Sequence, residues 1–333
     1  MVCACLLGAS CKDTSSGSDA TIPPAGSGGA TSDAAPISVT GGSVSSGGVP
    51  VRDVSGSGGT VGSSATQSAT GGSQGTSPGC LASGQATGDL HLTTTDGRGT
   101  QRDYEVLVPT TYQPGIPLAI TFDFHGAGGT SSNAKSNGLQ NITGAAANSI
   151  FVFPQGVPFG NYGVGWDDTC SGYDVVFFDH MVAELQGKYC IDLNRIYVSG
   201  FSWGCDFVTA LLCCRGNQLR GAAAASCSDE FGNAADYQSY ANYPCPTVST
   251  AAIRFTHDVS NDGAYSAEQF AATSQLYRSF EGCNSASSPT SPSPCVAYQG
   301  CKNPVIECRY SGLGHALPAT WASDSWTFFS GLQ

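Results

Sequence analysis

Basic residues are scarce in this 333-residue chain: Lys and Arg number 13 against 25 Asp and Glu, a formal net charge of −12. No basic run occurs anywhere, which argues against a nucleic-acid partner or an anionic membrane surface. Long apolar runs are also missing, and no segment reaches the length that spans a bilayer. Residues 12–79 contain no aromatic side chain and consist almost wholly of Gly, Ser, Thr, Ala, Asp, Pro and Val. Such a stretch cannot bury enough apolar surface to offset its ordering entropy, so it reads as a disordered linker. No C-x-x-C pair with a matching set of histidines occurs, so no zinc site and no other metal or cofactor is expected.

Aromatic and aliphatic residues appear regularly from Cys80 onward, and residues 80–333 are enough for one sizeable core. This part holds twelve cysteines, at 80, 170, 190, 205, 213, 214, 227, 245, 283, 295, 301 and 308. An even set without metal spacing implies disulfides and an oxidising compartment. Cys213 and Cys214 are neighbours, so they are expected to bond to two different partners. Residues 1–11, MVCACLLGASC, look like an export leader that ends in small residues before Cys11, as a bacterial lipoprotein site does. The expectation is therefore an exported protein, extracellular or held on the outer surface of a bacterium by a lipid at Cys11, and monomeric.

Strand and helix signals alternate along 80–333, the pattern of a mostly parallel sheet with helices on both faces. Strands are expected at 104–109, 118–124, 149–154, 195–199, 219–226, 251–256 and 304–310. Helices are expected at 173–187, from Asp206 through Cys214, at 267–280 behind the capping box Ser266-Ala267-Glu268-Gln269, and at 321–329. Asp174 is placed to favour the N-terminal dipole of its helix. The Ser/Pro-rich stretch between Cys283 and Cys301 reads as a loop stapled by cysteines.

One junction carries chemistry. Gly200-Phe201-Ser202-Trp203-Gly204 follows the strand at Arg195–Ser199 and precedes the helix that runs on to Cys214. A serine between glycines on a strand-to-helix turn is a nucleophile elbow, so tight that only small flanking residues avoid a clash. The pattern alone is cheap, because Gly71-Gly72-Ser73-Gln74-Gly75 fits it too, within the linker and without a strand or helix beside it. Context selects Ser202.

A serine hydroxyl needs a base, and the base an orienting acid. Of five histidines only His257 and His315 follow Ser202, and His315 lies between the last strand and the last helix, where this fold needs its base. The acid belongs just past the strand ending near Thr256. There Asp262 is favoured, with Asp258 as the alternative; the unused one would hold the loop as an Asx turn. The oxyanion hole needs two backbone N–H groups. Trp203 supplies one, and Gly126 or Ala127, in the turn His125-Gly126-Ala127-Gly128-Gly129, supplies the other. His125 reads as structural, His180 as an ordinary helix residue, and His91 receives no role. Trp166 either lines an acyl pocket or plugs the core, and Trp203 is a second substrate-binding candidate. Asn141-Ile142-Thr143 is a glycosylation sequon, relevant only in a eukaryotic source.

These segments resemble the secreted esterase and depolymerase family that includes feruloyl esterases and polyhydroxybutyrate depolymerases. The resemblance rests on FHGAGG at 124–129, FPQG at 153–156, residues 172–204, EGC at 281–283 and CKNPVIECRYSGLGHALP at 301–318. It implies an α/β-hydrolase with a serine triad and no metal, with Ser202 resembling the family nucleophile and His315 the family base. Two positions depart from the family pattern. Cys205 follows Gly204 where the family usually has glycine, and His257-Asp258-Val259-Ser260-Asn261-Asp262 replaces the usual His-Gly-x-x-Asp. The resemblance implies hydrolysis of aromatic or acyl esters of plant polymers, with polyhydroxyalkanoate depolymerisation as the alternative. A non-catalytic binding module on a hydrolase scaffold is the reading from a different class.

Overall fold

Two segments, Leu118–Phe124 and Ser149–Pro154, bury every residue, as expected of strands covered on both faces. In the computed structural model, which describes residues 75–161, 163–227 and 251–332, they lie side by side within a ten-stranded sheet. The strands are β1 (Gly88–Thr95), β2 (Gln101–Val108), β3 (Leu118–Phe124), β4 (Ser149–Pro154), β7 (Ile191–Phe201), β8 (Gly221–Ala225), β9 (Ala252–Asp258), β10 (Ser287–Thr290), β11 (Cys295–Tyr298) and β12 (Val305–Tyr310). A separate ribbon pairs β5 (Val157–Pro158) with β6 (Val164–Gly165). The sheet order is β1-β2-β4-β3-β7-β8-β9-β12-β11-β10. Strands β4, β3, β7, β8, β9 and β12 run parallel, and the antiparallel pairs lie toward the two ends.

Helices α3 (Tyr173–Lys188), α4 (Trp203–Arg215) and α5 (Ala267–Phe280) pack one face through Val175, Phe178, Val208, Leu211, Phe270 and Tyr277. The short helices α1 (Ser131–Ser136) and α2 (Thr143–Asn148), with α6 (Trp321–Ser330), cover the other through Ala134, Ala145, Trp321, Phe328 and Phe329. This is the α/β-hydrolase fold. The capping box opens α5 as expected, with Ser266 Oγ accepting from the Gln269 N–H.

Two expectations need adjustment. Packing begins before Cys80: Thr76 bridges Asp192, and Ser77 is buried, its Oγ donating to the Tyr189 carbonyl and accepting from the Ile191 N–H. A polar residue can join a core when backbone groups satisfy it, which composition does not reveal. The stretch after Cys283 is a hairpin, β10–β11, that extends the sheet beside β12. Asp174 lies in the first turn of α3, as expected, and its side chain turns inward. It is fully buried against the Arg102 guanidinium at 2.6 Å and accepts from the Asp167 N–H. The leader, Cys11, Ser73 and Cys245 lie outside the described residues.

Among the described residues, five disulfides join Cys80–Cys190, Cys170–Cys214, Cys205–Cys227, Cys283–Cys301 and Cys295–Cys308. Cys213 is disulfide-bonded as well, so the adjacent pair does take separate partners. No helix among the described residues is long and apolar enough to cross a membrane.

Candidate active site

The parallel strands deliver their C-terminal ends to one rim, the place where open α/β sheets bind ligands. Strand β7 ends in Ser202, whose backbone takes φ 57° and ψ −130°, a conformation that L-residues rarely hold. The surroundings impose it. The Ser202 N–H donates to the Ala225 carbonyl at 3.0 Å, and the Cys205 N–H donates back to the Ser202 carbonyl at 2.7 Å. A Cβ on Gly200 would collide with the Gly204 carbonyl, and one on Gly204 with the carbonyl of Phe124, so both glycines of the motif are sterically required. Cys205 and Cys227 tie the first turn of α4 to the chain leaving β8.

Beside Ser202 stands His315, on the loop between β12 and α6. Its Nε2 lies 3.0 Å from Ser202 Oγ, and its Nδ1 lies 3.0 Å from Asp262 Oδ1. Phe201 faces the imidazole at 4.7 Å between ring centroids and Tyr265 at 5.6 Å. Asp262 Oδ1 also accepts from the N–H groups of Ala264 and Tyr265, and the Asp262 side chain is fully buried while that of His315 is 29% exposed. The three side chains therefore form a continuous line, with His315 in the middle as its most exposed member.

Asp258 is elsewhere engaged. Its Oδ1 accepts from the N–H groups of Ser260 and Asn261 and from the Ser260 hydroxyl, and its Oδ2 accepts from the Gly314 N–H at 2.6 Å. Burial opposes its charge, but the Ser260, Gly314 and Asn261 donors prevail and hold its pKa far below the ordinary carboxylate range. It closes the β9 loop as an Asx turn and ties that loop to the residue before His315.

The turn after β3 lies against the serine. A Cβ on Gly126 would meet Ser202 Cβ at 3.0 Å, so the Gly126 backbone sits as close to the hydroxyl as glycine permits, with Ala127 exposed beyond it. His125 braces this turn. Its Nε2 accepts from the Gly156 N–H at 2.9 Å, which leaves the proton on Nδ1 to donate to the Gly126 carbonyl at 2.8 Å. Burial lowers its pKa, so the imidazole is neutral and acts as a strut.

Trp166, placed by sequence in an acyl pocket or in the core, is in the core. It is wholly buried, stacks on Phe207 at 5.2 Å, and donates its indole N–H to the His125 carbonyl at 2.9 Å. Trp203 is half-buried, its ring over Gly165 and edge-on to Phe159 at 6.0 Å. Of the substrate-binding candidates, only Trp203 faces the rim. His180 donates through Nδ1 to the Thr95 carbonyl at 2.7 Å on the surface, and His91 pairs with Asp103 at 3.6 Å; neither is a partner of Ser202, His315 or Asp262.

Several neighbours escape sequence reasoning. Asp206, in the first turn of α4, accepts from the Tyr265 hydroxyl at 3.0 Å. Tyr265 is thereby fixed beside His315, and His257 lies behind Asp262. The i+4 offset of Asp206 from Ser202 was the one readable hint. The cluster of Cys170, Cys213 and Cys214 has metal-like spacing, but its sulfurs are committed to disulfides.

No family model matches the chain. Among curated proteins it is 26% identical over 271 residues to the probable feruloyl esterase C of Aspergillus niger, covering 76% of this chain and 90% of that one. It is 27% identical over 243 residues to feruloyl esterase C of Emericella nidulans, covering 68% and 83%. Among solved structures, the acetyl xylan esterase from Aspergillus awamori superposes with a TM-score of 0.57 at 14% identity, over 73% of this chain and all of that one. The chain is thus similar in sequence to fungal feruloyl esterases and has the fold of an α/β-hydrolase. The structural likeness speaks to the fold, and the curated relatives are themselves named as feruloyl esterases.

Proposed function

We propose that this protein is a serine carboxylic ester hydrolase acting through an acyl-enzyme on aromatic or acyl esters of plant polymers. The observation that carries the reading is the unbroken line Ser202 Oγ, His315, Asp262, with 3.0 Å at each step. In this reading His315 Nε2 takes the Ser202 proton as Oγ attacks the ester carbonyl. Asp262 holds the Nδ1–H tautomer and offsets the imidazolium that forms. The carbonyl oxygen becomes an oxyanion within reach of the Trp203 N–H and that of Gly126 or Ala127. The tetrahedral intermediate expels the alcohol, which receives the proton from His315. Water then attacks the acyl-Ser202 ester with His315 again as base, releasing the acid and restoring the hydroxyl.

The names of the curated relatives favour a feruloyl group, and Trp203 with Phe159 offers an aromatic wall for it. The disulfides suit an enzyme that works outside the cell. The relatives are fungal, so the bacterial source and the lipid anchor expected from the leader gain nothing from them. We assign the chemistry to residues 80–333, with the linker as a carrier. A non-catalytic module would need a broken constellation, and the two short spacings favour an enzyme. The test is Ser202→Ala, which should abolish turnover of p-nitrophenyl acetate and labelling by a fluorophosphonate probe; retained labelling overturns the reading. A panel of methyl ferulate, acetylated xylan and a hydroxybutyrate oligomer then separates feruloyl, acetyl and polyester substrates.

A further inference from the structure

His257 is fully buried at the end of β9, yet neither of its ring nitrogens has a hydrogen-bond partner among the described residues. Its ring lies flat on Phe270 of α5, 4.6 Å between centroids and 8° from parallel. Its Nδ1 is 3.5 Å from Asp262 Oδ2, and that oxygen is itself buried without a partner. The Asp262 carboxylate is thus served unequally. Oδ1 takes three donors, from Ala264, Tyr265 and His315, whereas Oδ2 faces only the second imidazole.

The tautomer follows from what each ring nitrogen sees. With the proton on Nε2, an unpaired N–H would be buried and the Nδ1 lone pair would point at a carboxylate oxygen, two unfavourable terms. With the proton on Nδ1, the N–H points at Oδ2 and only a lone pair is left unmatched. The geometry points to His257 as a positioning residue: its Nδ1–H closes on Asp262 Oδ2 and pins the carboxylate that orients His315. This rests on the triad reading above. Burial works most strongly against charging His257, with His315 and Arg309 acting the same way, while Asp262 and Asp258 oppose them; the balance lowers its pKa and keeps it neutral. A neutral donor suits the role. It holds the carboxylate in place and leaves the negative charge to the imidazolium that forms on His315, whereas a cation there would cancel that charge.

His257→Phe keeps the ring on Phe270 and removes the donor; His257→Asn returns an amide N–H near the position of Nδ1. The expected result for His257→Phe is a kcat lower by about ten- to a hundredfold, the value of one hydrogen bond to a charged group, with KM for methyl ferulate unchanged. The acid limb of its kcat/KM profile should move to higher pH, because a less shielded Asp262 holds the proton on His315 more tightly. His257→Asn should recover most of the rate. A folded His257→Phe with the wild-type rate and pH profile overturns the proposal. If that variant does not fold, ¹⁵N-histidine spectra of the wild-type enzyme decide: a neutral His257 protonated on Nδ1 supports it, and the Nε2–H tautomer overturns it. Turnover retained by Ser202→Ala would instead signal failure of the triad reading.

Discussion

Two aspartates four residues apart invite the same substitution and should answer it differently. Asp262→Asn keeps the shape and a carbonyl oxygen for the Ala264 and Tyr265 N–H groups, but removes the charge 3.0 Å from His315 Nδ1. Two unit charges at that distance interact by roughly 5 kcal/mol at an effective dielectric of ~20, so the imidazolium formed during acylation loses about 10³- to 10⁴-fold in rate. Asp258→Asn loses the acceptor for the Gly314 N–H if its amide nitrogen turns that way, and retains the Oδ1 contacts to Ser260 and Asn261. Its cost is one charge-assisted hydrogen bond, about 2 kcal/mol of stability, with activity within about tenfold of wild type. The assay pairs kcat/KM for p-nitrophenyl acetate with urea unfolding of each variant. Asp262→Asn should lose activity without stability, and Asp258→Asn stability more than activity. Asp258→Asn losing a thousandfold in rate while Asp262→Asn stays near wild type would refute the choice of acid.

Three further outcomes follow from packing and charge. Replacing Cys205 and Cys227 together by Ser opens a loop of sequence separation 22, and unfolding should become easier by about 3 kcal/mol in a denaturant titration. Asp123, buried under the sheet with the Asn137 amide at 3.4 Å, has a pKa pushed up to about 7 by desolvation. The folded state therefore keeps a proton that the unfolded state has already lost, so this group's stability is present in acid and is lost as pH rises from about 4 through about 7. Asp123→Asn should flatten the pH dependence of Tm across that window, and an unchanged slope would count against the assignment. Trp166→Phe should lower Tm, and kcat if the turn after β3 supplies the proposed oxyanion hole, because it removes the indole donor to the His125 carbonyl.

Local signals were readable in the sequence wherever one element decides its own conformation. The apolar-rich stretches of β3 and β4, the Ser266–Gln269 box and the glycines around Ser202 each state a local requirement that the structure meets. Long-range partners were not legible. The place of Asp174 in the first turn of α3 was legible, but its partner was not, because nothing nearby announces Arg102, seventy-two residues away. Trp166 could fill a core or line a pocket until Phe124, Phe207 and His125 were seen around it. Ser/Pro-rich composition hid the β10–β11 hairpin, which is held by disulfides and by β12 more than by its own strand propensity. His257 fell out of the sequence reading for the same reason: its meaning lies in an oxygen five residues on that is folded back to face it.

The hairpin also bears on how copies of the protein meet. An open sheet ends in unpaired backbone groups that another chain can extend, and a long flat edge invites association. Here the last strand, β10, is only four residues, Ser287–Thr290, mostly exposed, and it includes Pro289, which has no N–H to offer. Cys295 and Cys308, register partners on adjacent strands, bolt that short rim to the sheet. A neighbouring molecule therefore meets a rim that is short and interrupted at Pro289, a poor template for extending the sheet.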